Sequence, residues 1–173
     1  MIDWFKALLK KDEEPGAETD SVRRIVDALD RLEPDRARYI AAFAYILGRV
    51  AHADRETSAE ETLAMERLIV ERSDLPPDQA VIVVQIAKTQ NRLFGGTEDF
   101  LVTREFGELA TPEQKASLLH CLFSVAATHA GVSTVEDNEI ARIAAELRVP
   151  HEEFVRARVA FRAHLNVLRS DSR

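Results

Sequence analysis

Apolar residues recur at three- and four-residue spacing along most of the chain, as on one face of an α-helix. The clearest run lies between residues 35 and 53, and similar runs follow residues 58 and 111. Their apolar positions are Tyr39, Phe43, Ile46, Leu47 and Val50, then Met65, Leu68 and Ile69, then Leu118, Leu119, Leu122, Phe123 and Val125. The pattern predicts an all-α protein.

Capping residues and prolines predict where several helices begin. Ser21 is placed to cap a helix that stops at Pro34, and Thr111 precedes Pro112 and Glu113 in a strong start signal. Val149-Pro150 opens the last helix. The inward residues predicted for this last helix are Phe154, Phe161, Leu165 and Leu168.

The segment Val81-Ile82-Val83-Val84 is β-branched and would also suit a strand. We predict a helix, because Pro77 suits a first helical turn and the internal repeat requires one here. Gly95-Gly96 then breaks the chain, and Thr97 can cap a short helix that carries Phe100, Leu101 and Phe106.

One helix–loop–helix pattern occurs twice. The stretch from Val50 to Glu61 aligns with the stretch from Val125 to Glu136, with Asp54 opposite His129. Apolar positions agree on both sides of the loops, which predicts two three-helix units at about residues 36–90 and 111–168. Pairing the units would bury both apolar faces in a compact domain (residues 21–170) with approximate two-fold symmetry and about eight helices.

A short amphipathic helix is predicted at residues 1–11, followed by an acidic linker at residues 12–20 that contains Pro15-Gly16. Two interpretations fit this helix. It packs on its own domain or on a neighbouring subunit, or it makes weak contact with a membrane surface. The residues that would make the contact are Ile2, Trp4, Phe5, Leu8 and Leu9.

Composition narrows the class of partner. The net charge of −7 and the aromatic content of 6% argue against nucleic-acid binding. The single cysteine suits a reducing compartment. There is no signal-peptide pattern and no apolar run of the roughly 20 residues that a transmembrane helix needs. We therefore expect a cytoplasmic protein without a transmembrane segment.

The two loops carry the candidate chemistry. Ser58 with Glu61 and Ser133 with Glu136 have the spacing of capping boxes, which accounts for all four residues structurally. Capping leaves Asp54 unexplained, because an acid just past a helix end is disfavoured by the helix dipole.

The first loop is acidic enough to attract a cation. Glu56, Glu60 and Glu61 add carboxylates to Asp54, and hard cations such as Ca²⁺, Mg²⁺ or Mn²⁺ prefer such oxygen ligands. The loop is not an EF-hand, since Met65 occupies the twelfth position, where a bidentate Glu is required.

The second loop differs in its chemistry. His129 with Glu136 and Glu139 would suit a transition metal such as Zn²⁺. A protonated His129 near a helix C-terminus is also favourable without any metal.

No residue set specifies an enzyme. His120 and Cys121 are adjacent, but neighbours on a helix point about 100° apart, so we interpret Cys121 as a buried thiol. No other catalytic or phosphate-binding motif is present, and no cofactor is implied beyond the divalent cation.

The stretches Val50-Ala-His-Ala-Asp54-Arg-Glu-Thr-Ser58-Ala-Glu-Glu61 and Val132-Ser-Thr-Val-Glu136-Asp-Asn-Glu139-Ile140 resemble the TerB-like, or tellurite-resistance B, family. The segment Phe94-Gly-Gly-Thr-Glu-Asp-Phe100 is similar to a bacterial branch of it. The likeness covers about residues 36–168.

The resemblance implies an all-helical bacterial protein of two related halves, linked to tellurite or other chemical stress, with acidic loops that bind divalent cations. It also implies modules that work in larger assemblies, some of them membrane-associated. The chain departs from the family pattern at Arg55 and at His129-Ala130, so we favour the first loop as the ion site. We therefore expect a non-enzymatic module with protein partners or self-association. The alternative is a ligand-free interaction domain.

Overall fold

A computed structural model describes residues 17–51, 59–90, 96–128 and 131–165. The described chain contains α1 (Ala17–Asp30), α2 (Pro34–Val50), α3 (Ala59–Arg72), α4 (Pro77–Gln90), α5 (Gly96–Leu109), α6 (Pro112–Ala127), α7 (Thr134–Glu146) and α8 (His151–Val159). A short 3-10 helix follows at Arg162–His164. Within these residues the only β-type pairing is an isolated bridge between Val132 and Leu165. The predicted all-α class is confirmed.

Helix α2 is the centre of the fold. It packs against α1, α4, α5, α6 and α7, and every residue from Tyr39 to Gly48 is buried. A helix that is apolar on all sides is stable only when other helices surround it. The core therefore lies around α2.

The predicted inward faces of the central helices are confirmed. All five apolar positions predicted on α2 and all five predicted on α6 are buried, as are Met65 and Ile69 on α3. The β-branched segment at residues 81–84 is helical within α4, as predicted, and Pro77 is its first residue. Valine and isoleucine are acceptable here because tertiary burial of Val83, Val84 and Ile86 outweighs a weak local propensity.

Three helix boundaries differ from the prediction. Helix α1 begins at Ala17 and α5 begins at Gly96, so Ser21 and Thr97 lie inside these helices and cannot cap them. Helix α5 is also not short, because it has 14 residues. The last helix ends at Val159, although no Gly or Pro follows before Leu165. Tertiary contacts end it: the Val132 amide donates to the His164 carbonyl at 2.7 Å, and Phe161 stacks on Phe123. Phe161 and Leu165 are buried as predicted, while Leu168 lies outside the described residues.

The orientations of α2, α5 and α7 position the candidate site. Arg38, near the start of α2, pairs with Glu105, near the end of α5. Tyr45, near the end of α2, pairs with Asp99, near the start of α5. These two contacts make α5 antiparallel to α2. The start of α5 therefore lies near the end of α2, where the chain enters the first loop.

The predicted N-terminal helix and the first loop lie outside the described residues. The approximate two-fold relation between the halves stays a prediction.

Candidate functional site

The second helix–loop–helix contains the capping box predicted from the sequence. The Glu136 amide donates to Ser133 Oγ at 3.2 Å, and the Ser133 amide donates to the Glu136 carboxylate at 2.7 Å. Gly131 precedes the cap with a φ of 88°, a conformation that favours glycine. Glu136 is buried and is used by the helix start.

Glu139, the other acid predicted at the second loop, is held by an arginine from α2. Arg49 Nε and Nη2 both donate to Glu139 Oε1, at 2.9 and 2.5 Å. On the outer side, Arg142 lies 3.6 Å from the second carboxylate oxygen. Glu139 therefore joins α7 to α2 by a charge-assisted contact.

The other side of the Arg49 guanidinium is also occupied. Arg49 Nη1 donates to Glu146 at 2.8 Å and to Thr103 Oγ at 2.7 Å. Its Nε lies 3.8 Å from a carboxylate oxygen of Asp99. The result is an ionic centre at which α2, α5 and α7 meet.

Uncharged groups complete this centre. The Tyr45 hydroxyl donates to Asp99 at 2.9 Å, and the Thr103 hydroxyl donates to the Asp99 carbonyl at 2.8 Å. We call the group of Tyr45, Arg49, Asp99, Thr103, Glu139 and Glu146 the Arg49 junction.

The Arg49 junction has more negative than positive charge. The Arg49 side chain is only 4% exposed, and the three carboxylates around it are half-buried. Burial would lower the pKa of Arg49, but hydrogen bonds to Glu146 and Glu139 outweigh it, and the pKa is raised above its usual value. The arginine therefore stays charged. Together with the exposed Arg142 at Glu139, it leaves one of the three acids without a compensating positive charge.

The predicted ion site in the first loop cannot be placed. Asp54, Glu56 and His129 lie outside the described residues. The side chains of Glu60 and Glu61 also lie outside the described part of the structure. Across the described part of the chain, no group of three or more His, Cys, Asp or Glu side chains could hold a metal ion. Of the seven predicted site residues, the structure places Glu136 in the cap and Glu139 in the Arg49 junction.

Sequence reasoning missed Arg49, Asp99 and Thr103. A signal for the arginine was present: Arg38, Tyr45 and Arg49 form one polar stripe at helical spacing on the otherwise apolar α2. Such a stripe indicates a face that meets polar groups of another helix. Which helix supplies them is not visible in the sequence.

Cys121 and His120 do not form a reactive pair in this fold. Cys121 is buried as predicted, and burial raises the pKa of its thiol to about 12. The pKa of His120 is lowered, mainly by burial and then by Arg72. A neutral thiol at physiological pH is a poor nucleophile.

These features define a class of protein: an all-helical domain that holds a capped helix–loop–helix against a central buried helix. The family model described as tellurite resistance protein TerB matches residues 39–159, more than two thirds of the chain. The chain therefore belongs to the TerB family.

Searches of curated proteins and of solved structures gave no match. None of the helices in the described part of the chain has the length and apolarity needed to cross a membrane.

Proposed function

We propose that this protein is a non-enzymatic module of the tellurite-resistance type, which binds one divalent cation at its first helix–loop–helix and makes protein contacts in a stress response. The proposed ligands are Asp54, Glu56, Glu60 and Glu61. Family membership supports the class of function. The ion site rests on the sequence of the first loop and on the charge of the neighbouring Arg49 junction.

The single observation that carries the cation proposal is the excess of acid at the Arg49 junction. Three carboxylates surround the Arg49 guanidinium at the end of α2, and only the exposed Arg142 adds a second positive charge, so one acid is in excess. Arg49 lies two residues before the described part of this helix–loop unit stops at Ala51. The acids of the first loop follow directly in the chain. A concentration of negative charge raises the local concentration of cations and favours divalent ones.

The described second half supports an asymmetric site. Glu136 and Glu139 are both engaged, one by the helix cap and the other by Arg49. Binding of a metal by these two acids would require the loss of strong hydrogen bonds. The first loop is therefore the better candidate.

Calorimetric titration of Ca²⁺, Mg²⁺, Mn²⁺ and Zn²⁺ into the protein and into Asp54→Ala tests the proposal. We expect saturable heat in the wild type and its loss in the variant. Glu108→Ala is the matched control, because Glu108 is an exposed acid at the far end of α5. If the wild type gives no heat beyond buffer at millimolar ion, the protein does not bind a cation in this way.

A second candidate is a ligand-free interaction domain. It is favoured by the exposure of seven large apolar side chains in the described chain, Phe100, Leu101 and Val135 among them. Val155 and Val159 are also exposed and lie one turn apart on α8, so they share one helix face, and contiguous exposed apolar side chains mark interaction sites. Light scattering of the purified protein with and without a saturating divalent cation separates the two candidates. Self-association to the same extent in both conditions would support the ligand-free interaction domain.

A further inference from the structure

Helix α8 lies at the edge of the described fold, where it packs mainly against α6. Its outward side carries two exposed apolar side chains, since Val155 is 39% exposed and Val159 is 58% exposed. Because these residues are four positions apart, they share one face of the helix. The described helices leave this apolar face uncovered.

The two valines belong to a longer line of exposed residues. Glu152 precedes Val155 by three residues, and Arg162 follows Val159 by three residues. Both of these charged residues are exposed. The spacing of three, four and three residues is that of the a and d positions of a heptad, which lie along one side of a helix. We call these four residues the α8 seam.

The turns that follow α8 keep Arg162 on this side of the molecule. The Phe161 amide donates to the Arg158 carbonyl at 3.0 Å, and Arg162 begins the 3-10 helix directly afterwards. Helical turns of either type rotate the chain by about 100–120° per residue, which places Arg162 within about 60° of Val159 around the axis. The α8 seam is therefore one continuous strip about 15 Å long.

The other charges of α8 are already compensated within the chain. Arg156 lies 2.7 Å from Glu153, and Arg158 lies 2.6 Å from Asp137 of α7. Each of these arginines is paired with an acid of its own chain, so neither requires an external partner.

Glu152 and Arg162 have no ionic partner within the described chain. They stand at opposite ends of the α8 seam, with the two valines between them. When the seam is laid against a reversed copy of itself, acid meets base and valine meets valine. Such self-complementarity of charge and apolar surface is what a two-fold symmetric contact requires.

We infer that two copies of this chain associate through α8, with the two helices antiparallel and the two-fold axis at the level of Ala157. Val155 of each copy packs on Val159 of the other, and Glu152 of each copy pairs with Arg162 of the other. The contact covers the exposed valines and gives both unpaired charges a partner.

The association is expected to be weak. Helix α8 has nine residues, and a contact of this length buries less than the roughly 1,200 Å² of a stable interface. The net charge of −7 on each copy also opposes association, although physiological salt screens most of this repulsion. We therefore expect a dissociation constant of roughly 100 μM to 1 mM.

Sedimentation equilibrium of the full chain, over concentrations that bracket this range, tests the inference. A monomer at low concentration and a dimer without larger species at high concentration are expected, because a two-fold contact closes on itself. Val155→Asp with Val159→Asp should abolish the dimer, since carboxylates of both copies would then meet. Leu63→Asp with Val81→Asp is the matched control, because these side chains are 51% and 41% exposed but lie on α3 and α4. This control should associate like the wild type.

Charge reversal tests the antiparallel orientation without changing an apolar side chain. Glu152→Arg and Arg162→Glu each bring like charges together in an antiparallel pair, so each should weaken the dimer severalfold. The double variant restores opposite charges and should regain the dissociation constant of the wild type. Both residues are exposed, so the core is spared.

The other outcomes overturn the inference. A wild type that stays monomeric over the whole range has no such contact, and a dimer that survives the valine substitutions or ignores both single charge reversals is formed elsewhere. Association that is lost only on removal of residues 1–16 assigns the contact to that segment, and binding to anionic vesicles without self-association assigns the α8 seam to a membrane. Sedimentation reports on α8 and calorimetry on the first loop, so failure of the dimer leaves the cation proposal standing.

Discussion

Replacement of Arg49 by methionine tests the central role of the Arg49 junction. Methionine keeps the length and apolar stem of the side chain but removes the charge and all donors. In the wild type these donors bond to Glu139, Glu146 and Thr103. The variant leaves three carboxylates close together, with only the exposed Arg142 beside Glu139 as a positive charge.

The expected cost follows from burial. Removal of one partner from a buried ion pair destabilises a protein by about 3–5 kcal/mol. The guanidinium is almost fully buried, but the carboxylates are half-buried and can recover some hydration, so we expect the lower end, about 3 kcal/mol. For a domain of this size, that free energy lowers the Tm by about 6–12 °C.

The loss should depend on pH with a defined sign. Without Arg49, the adjacent carboxylates repel one another in the folded variant whenever they are ionised. Acid protonates carboxylates and removes this repulsion, so the repulsion destabilises the folded variant more as the pH rises. The difference in stability between wild type and variant should therefore grow from pH 4 to pH 7.

Chemical denaturation at several pH values measures this difference. Arg104→Met is the control, because Arg104 pairs with Glu108 on the exposed surface of α5 and surface pairs contribute at most about 1 kcal/mol. Equal and small losses for the two variants, or a difference that shrinks as the pH rises, would refute the electrostatic account of the junction.

Three further changes test other parts of the fold. Ser133→Ala removes the cap of α7 and should lower the free energy of unfolding by about 1 kcal/mol, measured by urea denaturation; an unchanged value would contradict the role of the capping box. Phe161→Ala removes the ring that stacks on Phe123 and should cost about 3–5 kcal/mol, whereas a loss below 1 kcal/mol would show that the last segment does not hold the second loop. Burial raises the pKa of Cys121 to about 12, so the neutral thiol should contribute fully to the free energy of unfolding below about pH 9 and lose this contribution between pH 9 and 12. The free energy of unfolding should therefore fall less over this pH range in Cys121→Ala. Rapid reaction of the native thiol with a disulfide reagent would contradict its burial.

Much of the architecture could be predicted from short-range patterns. The capping box at Ser133, the start of α6 at Thr111-Pro112 and the inward faces of α2 and α6 depend on residues a few positions apart. These features depend on residues within one or two turns of the same helix, so they can be predicted directly from the sequence. The same reasoning identified Cys121 as a buried residue.

Boundaries set by distant contacts were not predictable in this way. Helix α8 ends at Val159 without a local stop signal, because the following residues pair with Val132 and stack on Phe123. The early start of α1 at Ala17 likewise differs from the position that Ser21 indicated.

The candidate site also has features that the sequence predicts and features that only the tertiary structure shows. The sequence by itself determined the helices, their caps, their apolar faces and the acidic character of the first loop, since each depends on neighbouring residues. Only the tertiary structure decided that Glu139 and Glu146 of α7 and Asp99 of α5 meet at Arg49 of α2. The physical reason is that periodicity shows which face of a helix is buried but not which helix it meets, and a buried charge requires its partners from whatever helix lies opposite.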